Sequence, residues 1–226
     1  MHTTTNGNDA SKPATVLHYL VRQPTVQTGK PPLIILLHGV GSSEQAMFSF
    51  AGELPGNFLV VSARAPYQIG TGRYARYQVD FSTGKPIINA DQEEKSRNTI
   101  IQFIQELKQQ LSFDDQQVYL GGFSQGAIMS YSVGLTRSDL IHGIVILSGR
   151  LLEEVKPFIA MNKKLHDLEV FIAHGINDST LSIQYARAGA AYLKTLDVKL
   201  TYKEYLEGHG INKEMLLDLG EWLSKT

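Results

Sequence analysis

The chain of 226 residues contains no cysteine. This absence excludes disulfide bonds, a thiolate nucleophile and any metal site that depends on cysteine sulfur. Proteins of reducing compartments do without disulfides, so a cytoplasmic location fits this composition.

An excess of charge of one sign is also lacking. The 21 basic and 22 acidic residues leave a formal net charge of −1, whereas nucleic-acid-binding domains usually carry a basic face. No segment approaches the roughly 20 consecutive apolar residues that a spanning helix needs. We therefore expect a cytoplasmic protein with no nucleic-acid partner and no stable membrane insertion.

Residues 1–13 are polar and have no apolar stretch of the kind found in a signal peptide or anchor. We interpret them as a disordered leader. The rest of the chain, residues 14–226, shows no linker and no internal repeat. At 42% hydrophobic residues it can bury one sizeable core, which predicts a single domain.

Short apolar runs alternate along this domain with longer segments of helical periodicity. That alternation is typical of an α/β fold, in which a mostly parallel central sheet carries helices on both faces. The strands are predicted at residues 15–21, 33–37, 58–62, 118–120, 143–147, 169–173 and 199–205, and the helices at 91–111, 125–135, 181–196 and 213–223.

The least regular stretch is residues 63–90, which mixes arginine, tyrosine, glycine and proline. A long irregular segment in a compact domain is often functional. Two interpretations stay open, a surface excursion packed by its own aromatic residues and a wall of a substrate pocket. On the second, Tyr77 from this stretch is a candidate pocket residue, together with Phe123.

The pentapeptide Gly122-Phe123-Ser124-Gln125-Gly126 has the pattern G-x-S-x-G and lies between a predicted strand and a predicted helix. In such a sharp turn the serine backbone is strained and the glycines avoid collisions, so that the hydroxyl is exposed at the carboxyl edge of the sheet. The alternative is a chance match in a glycine-rich chain. The context favours Ser124 as a nucleophile.

A serine hydroxyl needs an adjacent base, and in this architecture the acid and then the histidine follow the serine along the chain. His209 lies between glycines in the loop after the last predicted strand, and Asp178 follows the strand at 169–173. Asp167 and Asp197 are less suitably placed. An exposed loop histidine and a helix-capping aspartate are the alternative interpretations.

The oxyanion of such a reaction is held by backbone amides. One donor should be the N–H of Gln125, directly after the nucleophile, and the other should come from the loop after an early strand. That loop is His38-Gly39-Val40-Gly41. We predict Val40 as the donor and His38 as a structural hydrogen-bonding residue.

The sequence contains one formal match to a cofactor motif, since Gly70-Thr71-Gly72-Arg73-Tyr74-Ala75 fits G-x-G-x-x-A. This match lies in the irregular stretch with no entering strand and no leaving helix, so we set a dinucleotide site aside. The sequence has no G-x-x-x-x-G-K-[ST] and no H-E-x-x-H, and its histidine and acidic residues show no metal-ligand spacing. We therefore expect neither a metal nor an organic cofactor.

Four segments together resemble the phospholipase/carboxylesterase family, which includes the acyl-protein thioesterases. They are Leu37-His38-Gly39-Val40-Gly41, the pentapeptide around Ser124, His174-Gly175-Ile176-Asn177-Asp178, and Gly208-His209-Gly210-Ile211. The resemblance extends from about Leu33 to the C-terminus. It implies an α/β-hydrolase fold with little or no lid, and it is compatible with a homodimer. By motif it assigns nucleophile, acid and base to Ser124, Asp178 and His209 and the oxyanion amides to Val40 and Gln125.

The sequence thus predicts a serine hydrolase that cleaves carboxylic esters, and by resemblance thioesters or lysophospholipids, through a Ser-His-Asp triad and an acyl-enzyme intermediate. Its partner would be a small-molecule or lipid ester. A small amidase or peptidase of the same fold and a non-catalytic binding protein are the alternatives. Departures from the family pattern at Ser42, at Tyr77-Gln78-Val79-Asp80 and at Ser182 concern the substrate more than the chemistry.

Overall fold

The computed structural model describes residues 5–6, 14–26, 29–80, 82, 86–161 and 163–225. Its strands in chain order are β1 (Thr5–Asn6), β2 (Tyr19–Arg22), β3 (Leu33–Leu37), β4 (Leu59–Ala63), β5 (Tyr67–Gly70), β6 (Arg73–Ala75), β7 (Val79–Asp80), β8 (Ile87–Ile88), β9 (Val118–Phe123), β10 (Gly143–Leu147), β11 (Glu169–Gly175) and β12 (Lys199–Tyr205). The helices are α1 (Glu44–Phe48), α2 (Ala90–Gln110), α3 (Gln125–Thr136), α4 (Lys163–Asp167), α5 (Ile183–Thr195) and α6 (Lys213–Leu223), and short 3₁₀ segments lie at Ala51–Glu53 and Glu153–Phe158.

Eight of the strands form one sheet in the order β1-β2-β4-β3-β9-β10-β11-β12. Strands β1 and β2 and strands β2 and β4 pair antiparallel, and every other pair of neighbours is parallel. Parallel neighbours require crossover connections, which the helices supply. The predicted mostly parallel sheet is confirmed.

Both faces of the sheet are covered, as the uniformly apolar central strands β3 and β10 predict. In β3, Leu33, Ile35 and Leu37 belong to a core shared with α2, α3 and α5. The alternate residues Ile34 and Leu36 belong to a second core with α1 and α6. The two sets alternate because successive side chains of a strand point to opposite faces.

The predicted helices and strands are found, with differences at their ends. The strand predicted to stop at residue 120 continues through two glycines to Phe123, because β3 and β10 pair with it on both sides. A Cβ on Gly121 would lie only 3.0 Å from Cβ of Val145, so the absent side chain permits this close packing. The first predicted strand begins at Tyr19 rather than at residue 15. Helices α1 and α4 were not predicted, since five residues are too few to show periodicity.

The predicted leader, residues 1–13, lies outside the described residues except for Thr5–Asn6, which pair with Val21 and Leu20 of β2. In the described part of the chain, no helix combines the length and apolar character required to cross a bilayer. The irregular stretch after β4 holds two short antiparallel hairpins, β5–β6 and β7–β8.

Candidate active site

Three of the predicted site residues follow strands that are close together in the sheet. Ser124 comes directly after β9, Asp178 follows β11 by three residues, and His209 lies in the loop between β12 and α6. These strands belong to the parallel set β9-β10-β11-β12. Since the carboxyl ends of parallel strands meet at one edge, the fold brings the three side chains to the same edge.

The turn at Ser124 has an unusual backbone. Its φ of 53° and ψ of −117° lie in a region that residues with a Cβ rarely adopt. A Cβ on Gly122 would lie 2.4 Å from the carbonyl carbon of Gly126, and a Cβ on Gly126 would lie 2.0 Å from the carbonyl oxygen of Leu37. The glycines therefore let β9, β3 and α3 approach closely enough to make the turn.

This packing gives a direct test. Replacing Gly126 with alanine should lower the free energy of unfolding by about 3 kcal/mol, because the added methyl group would overlap backbone atoms of Leu37 and His38 rather than a flexible side chain. For a domain of this size the melting temperature should fall by on the order of 6–12 °C. Gly52→Ala is the matched control, since a Cβ there meets nothing within 4 Å. Equal melting temperatures for the two variants, measured by circular dichroism, would contradict the close packing.

A continuous hydrogen-bonded chain joins the three side chains. Oγ of Ser124 lies 3.0 Å from Nε2 of His209, and Nδ1 of His209 lies 2.7 Å from Oδ2 of Asp178. The ionised carboxylate only accepts, so Nδ1–H donates to it and Nε2 is left to accept from the serine hydroxyl. The other carboxylate oxygen accepts from the backbone N–H groups of Thr180 (2.9 Å) and Leu181 (2.7 Å), which fixes its orientation.

A second histidine, His174, was not predicted to contribute to the site. It is fully buried, and its Nε2 lies 2.7 Å from the carbonyl oxygen of Leu181 and 3.2 Å from Oδ2 of Asp178. An N–H at Nε2 donates toward both oxygens, so the ring helps to hold the acid. His174 and Asp178 are four residues apart in the sequence. Both lie outside the predicted helices, so this spacing did not predict a contact between their side chains.

The loop after β3 packs directly against the serine. A Cβ on Gly39 would lie 3.4 Å from Cβ of Ser124. In the described part of the chain the amides of Val40 and Gln125 donate to no other group. Both are therefore free to bind an oxygen of a bound molecule.

His38 is a structural residue, as predicted. Its Nδ1–H donates to the Gly39 carbonyl (2.7 Å) and its Nε2 accepts from the N–H of Ala65 (3.0 Å). Burial, together with the nearby charge of Arg76, lowers the pKa of His38 to about 3. The ring is neutral at working pH and ties the loop to the segment after β4.

Two apolar clefts of similar size adjoin Val40. The serine cleft, of about 600 Å³, exposes Ser124 and His209 and is walled by apolar residues that include Met47, Phe50, Phe123 and Ile211. The hairpin cleft, of about 620 Å³, lies beside the β5–β6 and β7–β8 hairpins and is lined by Val40, Ile69, Ala75, Tyr77, Gln78, Val79, Asp80, Ile87, Ile88 and Asn89.

The two predicted pocket residues lie in different clefts. Phe123 lines the serine cleft, where its ring packs against that of His209 with centroids 4.9 Å apart. Tyr77 lines the hairpin cleft but is 1% exposed, and burial raises the pKa of its hydroxyl. The irregular stretch therefore supplies residues that line a cleft, and its role as a wall of a substrate pocket stays a prediction.

The rival acids lie elsewhere. Asp197 is on the surface, with its carboxylate 3.7 Å from the ring of His166, and Asp167 is an exposed residue at the end of α4. Only Asp178 of these three contacts His209.

Comparisons with known proteins agree with the geometry. The family model described as Phospholipase/Carboxylesterase matches residues 22–226. Acyl-protein thioesterase 1 of Aspergillus fumigatus is 30% identical over 114 residues, which cover 49% of this chain and 47% of the relative. Acyl-protein thioesterase 1 of Candida albicans is 27% identical over 218 residues, which cover 88% of this chain and 94% of the relative.

Among solved structures, the carboxylesterase of Bacillus cereus is similar with a TM-score of 0.79 at 19% identity, over 92% of this chain and 94% of that one. At this identity the likeness concerns the fold, which is the predicted α/β-hydrolase fold. The match to the Aspergillus protein spans about half of that relative's length (47%), whereas the family model covers most of this chain. The chain therefore belongs to the phospholipase/carboxylesterase family.

Proposed function

We propose that the protein hydrolyses carboxylic esters or thioesters with Ser124 as nucleophile, His209 as general base and acid, and Asp178 as the group that orients His209. The observation that carries the proposal is the chain of contacts from Ser124 Oγ to His209 Nε2 (3.0 Å) and from His209 Nδ1 to Asp178 Oδ2 (2.7 Å). This order of donors and acceptors is the one that activates a serine hydroxyl. Family membership supports ester and thioester substrates over other acyl compounds.

In the first half of the reaction, Ser124 Oγ attacks the acyl carbonyl carbon while its proton passes to Nε2 of His209. The carbonyl oxygen becomes an oxyanion, which accepts hydrogen bonds from the amides of Val40 and Gln125. Gln125 is the first residue of α3, so the positive end of the helix dipole also stabilises this charge. The tetrahedral species collapses when the imidazolium protonates the leaving oxygen or sulfur.

In the second half, water attacks the acyl-enzyme and gives its proton to His209. The second tetrahedral species collapses to the free acid, and the proton on Nε2 returns to Ser124 Oγ. Asp178 stays ionised throughout and stabilises the imidazolium of His209. The backbone N–H groups of Thr180 and Leu181 hold its second oxygen in place.

The two clefts suggest where each half of the substrate binds. His209 must reach the leaving atom, so the leaving group has to lie on the imidazole side of Ser124. The serine cleft contains this imidazole and the hairpin cleft does not. We therefore place the acyl chain in the hairpin cleft and the alcohol or thiol in the serine cleft.

Labelling with a fluorophosphonate probe tests the nucleophile. We expect one covalent adduct, located on Ser124 by mass spectrometry, and loss of p-nitrophenyl butyrate hydrolysis in proportion to labelling. An unlabelled Ser124 in a protein without esterase activity would favour a non-catalytic binding protein. Faster cleavage of the matched butyryl anilide than of the ester would favour an amidase.

A series of acyl chains tests the hairpin cleft. Each added CH₂ that is buried contributes about 0.8 kcal/mol, so kcat/KM should rise roughly fourfold per carbon until the cleft is full. Val79→Ser should flatten this rise and leave acetate esters unaffected. Leu217→Ser removes an exposed apolar side chain on α6 that lines neither cleft, and serves as control. An unchanged chain-length profile for Val79→Ser would place the acyl group elsewhere.

A further inference from the structure

One short segment, residues 74–77, contacts both structures that carry the oxyanion amides. On one side, Tyr74 forms an antiparallel bridge with Ser42, and its carbonyl accepts from the N–H of Gly41 (2.9 Å). On the other side, the Gln125 side chain accepts from the N–H of Arg76 (2.7 Å) and donates to the carbonyl of Tyr77 (2.8 Å). The segment therefore connects the loop at residues 38–41, here called the Val40 loop, to the first turn of α3.

The side chain of Arg76 completes this connection. Its Nη1 donates to the carbonyl of His38 (2.7 Å), two residues before Val40, and its Nη2 donates to the carbonyl of Ala63 (3.3 Å). The backbone carbonyl of Arg76 accepts from the hydroxyl of Ser96 at 2.5 Å. One residue thus binds the Val40 loop through its side chain and Gln125 through its backbone.

Arg76 is also an unusual residue to find in a core. It is 1% exposed, its Nε has no hydrogen-bond partner among the described residues, and no carboxylate oxygen of those residues lies within 4.0 Å of its guanidinium nitrogens. Burying a charge without an opposite charge is costly. Arg76 meets this cost beside the oxyanion amides, because its guanidinium donates to the carbonyl of His38 in the loop that carries Val40.

We propose that Arg76 is a positioning residue for the oxyanion site: it fixes the Val40 and Gln125 amides relative to each other and keeps a positive charge beneath the loop. This inference rests on the proposed function, because it assumes that these amides hold an oxyanion. Donors must lie about 2.7–3.1 Å from the position that the oxyanion will occupy, so small displacements of the loop weaken transition-state binding. Substrate binding depends on the clefts and is affected much less.

The guanidinium retains its charge under assay conditions. Burial lowers the pKa of Arg76 to about 9, which still leaves the group protonated at pH 7. Because no carboxylate oxygen of the described residues lies within 4.0 Å of it, the positive charge also acts on the negative charge that develops on the substrate.

Steady-state kinetics of Arg76→Met and Arg76→Lys test the proposal. Arg76→Met should lower kcat by about 10²-fold, as the loss of one oxyanion donor does, with KM within about twofold of the parent. Arg76→Lys keeps the positive charge but lacks the forked guanidinium that donates to two carbonyls at once. Its kcat should therefore lie between those of Arg76→Met and the parent. The affinity for a trifluoromethyl ketone transition-state analogue should fall in parallel with kcat/KM.

Arg22 offers a matched control within the same chain. It is also buried, its Nε likewise lacks a partner among the described residues, and its Nη2 donates to the carbonyls of Pro55 and Phe58. Arg22→Met should lower the melting temperature as Arg76→Met does but leave kcat per folded molecule unchanged. If the parent enzyme labels at Ser124 and Arg76→Met keeps the parental kcat, the positioning role is wrong while the proposed function stands.

If Arg76→Met does not fold, Arg76→Lys alone decides the matter. A folded Arg76→Lys variant with parental kcat and parental affinity for the ketone overturns the proposal. A reduced kcat at unchanged KM, with weaker ketone binding, supports it.

Discussion

Replacing Ser124 with alanine should lower kcat for p-nitrophenyl butyrate by about 10⁶-fold, as loss of the nucleophile does in other triads. His209 would still be held by Asp178, and the Val40 and Gln125 amides would remain, but no covalent intermediate could form. Substrate binding should persist, because both clefts are unchanged. Stopped-flow or spectrophotometric assays with active-site titration of the parent enzyme measure the loss.

Ser130→Ala is the matched control for this variant. Ser130 is a buried serine in α3, six residues after Ser124, and its hydroxyl donates to the carbonyl of Gly126 (3.1 Å). Its removal costs about 1 kcal/mol of stability at most and should leave kcat unchanged. Parental activity in the Ser124→Ala variant would show that another residue is the nucleophile.

Asp178→Asn should lower kcat by about 10⁴-fold with little change in KM. The asparagine amide can donate to Nδ1 of His209, which would then bear its proton on Nε2. In that tautomer the imidazole cannot accept the proton of Ser124. The pH profile of kcat/KM and the proton NMR signal of the imidazole N–H report this change independently of the rate.

Asp197→Asn is the control for the acid. Asp197 has a positive φ of 56°, which asparagine tolerates as well as aspartate. Its carboxylate forms an ion-pair contact with the exposed ring of His166. We expect parental kinetics and stability. Equal losses in Asp178→Asn and Asp197→Asn would mean that the contact between Asp178 and His209 does not orient the base.

The contact between Ser124, Asp178 and His209 could be predicted because each residue carries a local signal. The serine lies in a G-x-S-x-G turn, and the acid and histidine each follow a strand whose carboxyl end must reach the same edge of a parallel sheet. The order of serine, acid and histidine along the chain then favours Asp178 and His209 over the other acidic residues and histidines. The sheet could be predicted as well, because central strands such as β3 and β10 are uniformly apolar and buried on both faces.

The residues that support the site could not be predicted in this way. Arg76 acts through carbonyl groups of His38 and Ala63, and His174 acts through Leu181 and Asp178. Every residue has a backbone carbonyl group, so the sequence does not indicate which carbonyl a buried side chain will bind. The continuation of β9 through Gly121 and Gly122 was missed for a related reason, since only the flanking strands β3 and β10 impose it.

The two hairpins form two parts of the wall of the hairpin cleft. These parts differ in how far their amino-acid sequences can change without disturbing the oxyanion amides. The β5–β6 hairpin leads into residues 74–77, which bond to both amide-bearing structures. Strands β7 and β8 supply Val79, Asp80, Ile87 and Ile88 to the same cleft and make none of those bonds. A library for altered acyl preference is therefore best confined to β7 and β8, where diversity need not reduce turnover.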